Sequence, residues 1–306
     1  MGMDRNSIYY KQVQLLMQVL PFVAKQECFA LKGGTAINLF VREFPRLSVD
    51  IDLVYLPMKG RDDALQEICA ALDAISADLK AAFKDVELTE AYKSKRDALR
   101  LIVGRNGVQI KVELSPVLRG TVYETKLMEV CAAVEDEFGY AEVPVVALAD
   151  LYAGKICAAL DRQHPRDLFD VKWLLENEGL TDEIRKALII YLSSHNRPMA
   201  ELLRPQFKDI AAIYEGEFAS MAETDVPLEE LVAVREHLVE LIHQGLTDSE
   251  KGFLLSFKNR EPDWALLELD DVSELPAIKW KQINLAKMPD DKHKLALDKL
   301  KEVLSV

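Results

Sequence analysis

Two short stretches in the first third of the chain decide the fold: residues 31–39 read LKGGTAINL, and residues 46–52 read RLSVDID. The first stretch places Gly33, Gly34 and Thr35 between a short apolar segment and a helix predicted over Thr35–Phe44. Glycine permits close approach to the backbone, and the start of a helix presents N–H groups, so such a turn can hold a phosphate. Taken alone, a Gly-Gly pair before a helix is more often a simple turn.

The second stretch belongs to a strand predicted over Ser48–Tyr55, which carries Asp50 and Asp52. Because side chains alternate along a strand, both carboxylates share one face, about 6–7 Å apart, while the apolar residues between them face the core. Two such charges repel unless a cation lies between them, and oxygen ligands suit Mg²⁺. The alternative is a solvated edge strand with acidic positions on its exposed face.

The hydrophobic pattern divides the chain into an α/β part and a helical part. Helices are predicted over Tyr9–Lys25, ending at Pro21 or shortly after, and over Asp63–Phe83. Residues 98–103 and 108–114 alternate as strands, and the intervening Asn-Gly predicts a hairpin turn. Beyond about Pro144 the periodicity is almost entirely helical. We therefore predict an α+β fold, with a small sheet flanked by helices in residues 1–144 and a helical domain in residues 145–306.

The helical part contains a lysine and two aspartates at positions that need an explanation. Lys155 falls on or beside the buried stripe of a helix predicted over residues 150–162. Such a lysine either extends to water or directs a point charge toward a phosphate or carboxylate. Asp167 opens the next helix after Pro165, where it complements the helix dipole, and Asp170 shares its face.

In their order along the chain, these segments together resemble the AbiEii/AbiGii nucleotidyltransferase toxin family, which includes the mycobacterial MenT toxins. The family belongs to the DNA polymerase β-type nucleotidyltransferase superfamily. The resemblance rests on the two stretches quoted above, on Lys155 and on residues 166–170, and it spans about residues 25–175. Residues 280–288, beginning Trp-Lys, are similar to the family as well.

The resemblance implies a polymerase β-type domain followed by a helical domain that completes the active-site cleft. It implies a toxin of a toxin–antitoxin or phage-defence system, with a partner antitoxin encoded nearby. The implied activity is magnesium-dependent transfer of a nucleoside monophosphate (NMP) from a nucleoside triphosphate (NTP) to an acceptor hydroxyl, with release of pyrophosphate. In some members the acceptor is the 3′ end of tRNA.

The resemblance also implies roles for individual residues. By position, Gly33, Gly34 and Thr35 would hold the triphosphate, and Asp50 and Asp52 would bind Mg²⁺, with Mn²⁺ as a substitute. Further residues are assigned to triphosphate contact or bracing (Arg46, Ser48), to completing the catalytic site (Lys155, Asp167, with Asp170 able to share the role) and to a third metal-binding carboxylate (Glu113). An outward Lys111–Glu113 pair is equally typical of an ordinary half-exposed strand.

The composition of the chain limits which cellular compartment and which binding partners we expect. No apolar run of about 18 residues occurs and no signal peptide is apparent, so we expect a cytoplasmic protein without membrane attachment. The four cysteines form no Cys-x-x-Cys pair and the histidines are scattered, which predicts neither zinc nor disulfides. With a net charge of −13, RNA contact requires a local basic patch. Residues 277–306, with seven lysines against four acidic residues, are the candidate; a solvated amphipathic helix is the alternative.

Three rival interpretations follow from the same residues. The acceptor could be a protein hydroxyl or a small molecule, which the acidic net charge leaves open. The protein could instead be a degenerate nucleotidyltransferase fold that acts only by binding, although the intact Asp-x-Asp argues against decay. A kinase is disfavoured because neither a Gly-x-x-x-x-Gly-Lys-Ser/Thr loop nor a His-Arg-Asp loop occurs.

Overall fold

A computed structural model of the chain describes residues 5–219 and 221–305. The chain forms two compact units. Unit 1 comprises Met1–Ala147 with Ala219–Asp225, and unit 2 comprises Leu148–Phe218 with Val226–Val306. The predicted domain boundary at residues 144 and 145 stays a prediction, because compactness alone does not show where one folding domain ends. Residues 1–4, 220 and 306 of the predicted domain ranges lie outside the described residues.

Unit 1 is built on a seven-stranded mixed sheet. Its strands are β1 (Phe29–Lys32), β2 (Asp50–Tyr55), β3 (Glu87–Glu90), β4 (Arg100–Arg105), β5 (Val108–Leu114), β6 (Lys126–Glu129) and β7 (Glu142–Val145). Their order across the sheet is β3-β4-β5-β2-β1-β7-β6. The pairs β2–β5 and β1–β7 are parallel and the remaining pairs are antiparallel. The mixed α/β architecture predicted from the sequence is confirmed.

The helices of unit 1 are α1 (Ile8–Ala24), α2 (Gly33–Ala36), α3 (Arg61–Ala82), α4 (Ala91–Ser94) and α5 (Ala132–Phe138), and α2 continues as a π-helix over Ile37–Val41. The side chain of Ser7 caps α1 by accepting from the main-chain N–H of Tyr10. Pro21 lies inside α1, which ends three residues later. Proline removes one backbone hydrogen bond, and with less than a turn left the helix loses little else.

The predicted alternation along β2 is present in the structure. Ile51 and Leu53 are buried, whereas Asp50 and Asp52 are half-buried on the opposite face. The predicted hairpin joins β4 to β5 through Asn106 and Gly107, which both have positive φ as a type I′ turn requires. Strand β5 covers the predicted residues 108–114, whereas β4 begins and ends two residues later than the predicted 98–103.

Unit 2 is helical over its described residues, as predicted. Its helices are α6 (Leu148–Asp161), α7 (Pro165–Asn177), α8 (Asp182–Ser194), α9 (Met199–Leu203), α10 (Ala211–Glu217), α11 (Leu228–Gly245), α12 (Asp248–Lys258), α13 (Pro276–Ala286) and α14 (Asp290–Leu304). Short 3₁₀ turns occupy Trp264–Leu266 and Val272–Glu274. Helix α6 packs against α7 and α8 around fully buried Tyr152 and Phe169. None of the described helices has the length and apolar character needed to cross a membrane.

Candidate active site

The glycine turn lies directly against the Asp-x-Asp strand. Gly33 follows β1, begins α2 and has φ +75°, a conformation that L side chains rarely adopt. A β-carbon built on Gly33 would lie 2.5 Å from Oδ2 of Asp52. One built on Gly34 would lie 2.8 Å from Nη2 of Arg46 and 2.9 Å from Oγ of Ser48. The two glycines therefore let the side chains of Asp52, Arg46 and Ser48 lie closer to the turn than any larger residue at positions 33 and 34 would allow.

Thr35 connects this turn to β2. Its side chain is only 1% exposed; its hydroxyl donates to the main-chain oxygen of Asp50 and lies 3.1 Å from the hydroxyl of Ser48. The side-chain amide of Asn38 donates to the main-chain oxygen of Gly34 at 2.9 Å. The Thr35 hydroxyl is thus directed into the protein, where it fixes the start of β2 against α2.

Arg46 is a buried cation beside the glycine turn. It is 2% exposed, and its Nη1 donates to the main-chain oxygen of Leu47 at 2.9 Å. The residues around it are held by a neighbouring segment, since Arg46 forms an isolated β-bridge with Ala222 and the N–H of Leu47 donates to Met221. Arg46 and Ser48 therefore lie against Gly34.

Four charged residues form one row across four adjacent strands. Lys32 on β1 is paired with Asp52 on β2, Asp52 with Glu113 on β5, and Glu113 with Arg100 on β4. Laterally paired residues share a sheet face, and neighbouring strands are about 4.8 Å apart. The row therefore has a positive charge at each end and two negative charges between them. Arg100 donates through Nε to Oε1 of Glu113. Two carboxylates consequently stand side by side with a cation at each end.

This row lines an open cleft of about 400 Å³, a size that suits a small ligand. The cleft wall comprises Lys32, Asp52, Leu53, Ala91, Asp97, Ala98, Leu99, Arg100, Glu113, Leu114 and Ser115. Four of these residues, Lys32, Asp97, Arg100 and Ser115, were not predicted from the sequence to have a function. Only strand register brings Arg100 to Glu113, and the Asn-Gly turn was the signal from which that register could have been derived.

The donor set fits a magnesium ion in part. Among the described residues, no group of three or more His, Cys, Asp and Glu side chains is placed to hold a metal. Asp50 and Asp52 offer two carboxylates on one strand face, with Glu113 opposite Asp52. Mg²⁺ in nucleotide enzymes is usually held by one or two carboxylates together with water and substrate phosphates. Two protein carboxylates are therefore sufficient.

Lys155, Asp167 and Asp170 form a buried charge cluster in unit 2. The ammonium of Lys155 lies 2.9 Å from Oδ1 of Asp167 and 3.0 Å from Oδ2 of Asp170. Their side chains are 7%, 0% and 1% exposed. Arg162, a residue that the sequence analysis did not single out, donates to both carboxylate oxygens of Asp167. The structure thus brings together the three predicted residues and adds a second cation.

The electrostatics of this cluster favour charged aspartates. Burial by itself raises the pKa of Asp167, but the positive charges and hydrogen bonds of Lys155 and Arg162 overcome it and hold the pKa well below its usual range. A carboxylate that binds protons so weakly stays ionised. Asp167 is therefore suited to orienting a neighbouring group and poorly suited to removing a proton.

Comparisons with known proteins assign the family. A family model described as nucleotidyl transferase AbiEii toxin, type IV toxin–antitoxin system, matches residues 14–280. The chain belongs to the AbiEii family. This match confirms the predicted resemblance. It covers more of the chain than the predicted range of about residues 25–175.

A solved structure similar to this AbiEii chain is MenT4, a nucleotidyltransferase toxin from Mycobacterium tuberculosis H37Rv. The two chains are 15% identical and superpose with a TM-score of 0.58, over 96% of this chain and 95% of MenT4. At that identity the likeness shows the fold. No curated protein sequence matches the chain.

AbiEii membership establishes the coarse function. The protein is a nucleotidyltransferase toxin of a type IV toxin–antitoxin system. An NTP is accordingly a substrate and an antitoxin is a partner.

Proposed function

We propose that this protein transfers an NMP from an NTP to an acceptor hydroxyl, the 3′ end of a tRNA, in the cleft that contains Asp52. The observation that carries the proposal is the contact between Gly33 and Asp52, because it joins a turn suited to phosphate to a carboxylate suited to a metal. The row of charges beside that contact supplies the remaining groups that such a reaction needs.

In this proposal the triphosphate lies beside the glycine turn and contacts the cations at the two ends of the charged row. The first main-chain N–H groups of α2, at Gly33, Gly34 and Thr35, point toward phosphate oxygens. Lys32 and Arg100 line the cleft and supply positive charge on either side of the carboxylates. Arg46 and Ser48 brace Gly34 from behind, since both are buried against it.

Asp50 and Asp52 would hold Mg²⁺, or Mn²⁺ in its place. Glu113 joins them as a third ligand if it exchanges Arg100 for the metal. When bound, the ion would polarise the transferring phosphoryl group and lower the pKa of the acceptor hydroxyl. The two neighbouring carboxylates favour its binding because their mutual repulsion is relieved by a cation.

The transfer itself is a displacement at phosphorus. The acceptor hydroxyl releases its proton to water in the open cleft, its oxygen forms a bond to the α-phosphorus, the bond from that phosphorus to its bridging oxygen breaks, and pyrophosphate leaves with the electron pair. Lys32 and Arg100 stabilise charge on the departing phosphates by their position in the cleft.

We assign Lys155, Asp167 and Asp170 a supporting role in the same reaction. Two of the three hydrogens of the Lys155 ammonium are directed to the aspartates, and the third can donate to a phosphate oxygen. Asp167 remains ionised and orients the lysine, with Asp170 as its second anchor. Asp167 is not assigned the removal of a proton from the acceptor, because its lowered pKa makes it a weak base.

The experiment uses the full-length protein with Mg²⁺, total tRNA and each of four α-³²P-labelled NTPs. The Asp52→Asn variant is run beside it, with Asp136→Asn, an exposed position on α5, as the matched control. Label on tRNA from the unaltered protein and from Asp136→Asn, but not from Asp52→Asn, is the expected result. Label on protein instead would replace the acceptor. Equal labelling by Asp52→Asn would refute the assignment of the site.

A further inference from the structure

Lys258, the last residue of α12, is a buried cation outside the cleft already described. Its exposed fraction is 8%; no ion pair holds its ammonium among the described residues, and the nitrogen itself keeps contact with solvent. A largely buried charge without a partner is costly, because its desolvation is only partly compensated. Burial, followed by the nearby charge of Arg260, lowers the pKa of Lys258.

A second lysine lies beside it. Lys281 on α13 donates to the main-chain oxygen of His195 at the C-terminal end of α8. Burial, followed by the charge of Lys258, lowers the pKa of Lys281 to about 8. The charge of Lys258 thus disfavours the charged form of the neighbouring Lys281, which is itself partly buried.

The carboxylates in this neighbourhood are engaged by other cations. Asp290 pairs with Arg260 at 3.0 Å, and Asp161 pairs with Arg197 at 2.7 Å. Helix ends supply part of the compensation, since Lys258 and the His195 carbonyl lie at the C-termini of α12 and α8, where the dipole is negative. No side-chain anion among the described residues pairs with either lysine.

The segment that contains Lys281 is rich in lysine and carries an exposed aromatic ring. Residues 277–306 carry seven lysines and four acidic residues, in a chain whose net charge is −13. Trp280 is 51% exposed on α13, and Ile283 is exposed one turn later. An exposed ring beside lysines is the combination that binds single-stranded nucleic acid, because bases stack on the ring while the cations meet phosphates.

We propose that Lys258 and Lys281 form a binding site for a backbone phosphate of the RNA acceptor, with Trp280 as a stacking platform for a nearby base. This inference rests on the proposed function, since it names the surface by which unit 2 holds the RNA. A phosphate at the site provides the anion that both ammonium groups lack. It also explains how a strongly acidic protein binds a polyanion, because the contact is local.

The test measures RNA binding and stability in the same variants of the full-length protein. Lys258→Met removes the charge and keeps a flexible apolar side chain, and Lys251→Met, in the same helix α12, is the matched control. We expect Lys258→Met to weaken the binding of a fluorescein-labelled tRNA by about tenfold. We also expect a reduction in the salt slope of about one unit, as for the loss of one phosphate contact. Trp280→Ala is expected to weaken binding with little change in that slope.

Stability distinguishes a ligand site from a structural lysine. Because an unpaired buried charge is removed, Lys258→Met should melt at the same temperature as the unaltered protein or higher. Unchanged tRNA affinity in Lys258→Met would overturn the inference, and so would lower stability with unchanged affinity. Poly-glutamate that binds as tightly as RNA and depends equally on Lys258 would assign the site to carboxylates and overturn it as well.

The proposed function is tested separately in the same samples, by transfer of label from NTP to tRNA. Labelled tRNA with unchanged affinity in Lys258→Met would leave the proposed function standing and refute the phosphate site. Lys258-dependent tRNA binding without label from the unaltered protein would support the phosphate site and refute transfer to tRNA.

Discussion

Gly33 and Asp52 lie so close that a β-carbon on the glycine would come within 2.5 Å of the carboxylate oxygen Oδ2. The backbone of Gly33 is also left-handed, with φ +75°. A side chain at position 33 would therefore meet both the Asp52 carboxylate and an unfavourable backbone conformation. Gly107 has the same φ, but nothing lies within 4 Å of a β-carbon built on it, so substitution there tests the backbone effect alone.

We expect Gly33→Ala to reduce nucleotidyl transfer at least tenfold, because the methyl group displaces the Asp52 carboxylate. Gly107→Ala, the control, should cost about 1 kcal/mol of stability through its left-handed backbone and leave transfer unchanged. Steady-state rates and urea denaturation of both variants provide the measurement. If both alanines reduce transfer equally, the contact with Asp52 has no special role.

Thr35→Val tests what the buried hydroxyl does. The substitution keeps the shape and removes the hydrogen bond to the main-chain oxygen of Asp50. Losing it leaves a buried acceptor unsatisfied, so we expect a loss of about 1–3 kcal/mol in the free energy of unfolding. Thr35→Ser retains the hydroxyl and should recover most of that loss. A large rise in the KM for NTP without loss of stability would contradict this, because it would place the hydroxyl on the phosphate.

Arg100 and Glu113 provide a prediction about metal binding. Arg100 donates to Glu113, which is paired with Asp52 in the sheet. Arg100→Gln releases Glu113 and leaves Lys32 as the one cation in the row beside two neighbouring carboxylates, so Mn²⁺ affinity measured by electron paramagnetic resonance should rise about threefold to tenfold. Stability should change by less than about 1 kcal/mol, because the pair is exposed to solvent. Arg105→Gln, at the other end of β4, is the control; weaker Mn²⁺ binding in Arg100→Gln would contradict the exchange of Arg100 for metal.

The sequence predicted the parts of this site that depend on local rules. Alternation in β2 placed Asp50 and Asp52 on one face, and the Asn106-Gly107 pair predicted the hairpin that carries Glu113. Both follow from periods and turn chemistry that act over a few residues. The order of these segments along the chain carried the family resemblance, and no single segment would have been sufficient for it.

The parts that were missed depend on register and packing. Lys32 reaches Asp52 because β1 pairs with β2 at particular residues, which no local pattern specifies. Arg100 reaches Glu113 through the register of the β4–β5 hairpin, which the Asn-Gly turn implies only when both strands are continued up to that turn. Arg162 pairs with Asp167 because the turn between α6 and α7 brings the end of one helix against the start of the next. Thr35 was predicted to hold the triphosphate, but packing directs its hydroxyl to the main-chain oxygen of Asp50 on β2, which only the structure shows.

Lys155 and its aspartates allow a prediction about stability. Lys155→Met leaves the Asp167 and Asp170 carboxylates buried without their shared cation, and breaking a buried pair in this way costs about 3–5 kcal/mol. Lys186→Met removes an ion pair with the exposed Glu268 and should cost less than about 1 kcal/mol. Urea denaturation of both variants gives the comparison; equal losses would show that the cluster contributes no more than a surface pair.

The pH dependence of stability tests the same cluster through Asp167. Its pKa is lowered in the folded protein, so its stabilisation is present above the unfolded pKa of about 4 and is lost as the pH falls toward the folded value. Below pH 4 the unfolded chain binds a proton that the folded protein does not, which favours unfolding. In Asp167→Asn that proton is absent from both states. The free energy of unfolding should then fall less steeply between pH 5 and 3, by up to about 1.4 kcal/mol per pH unit. Identical slopes in the two proteins would mean that Asp167 titrates normally and is not held ionised by Lys155 and Arg162.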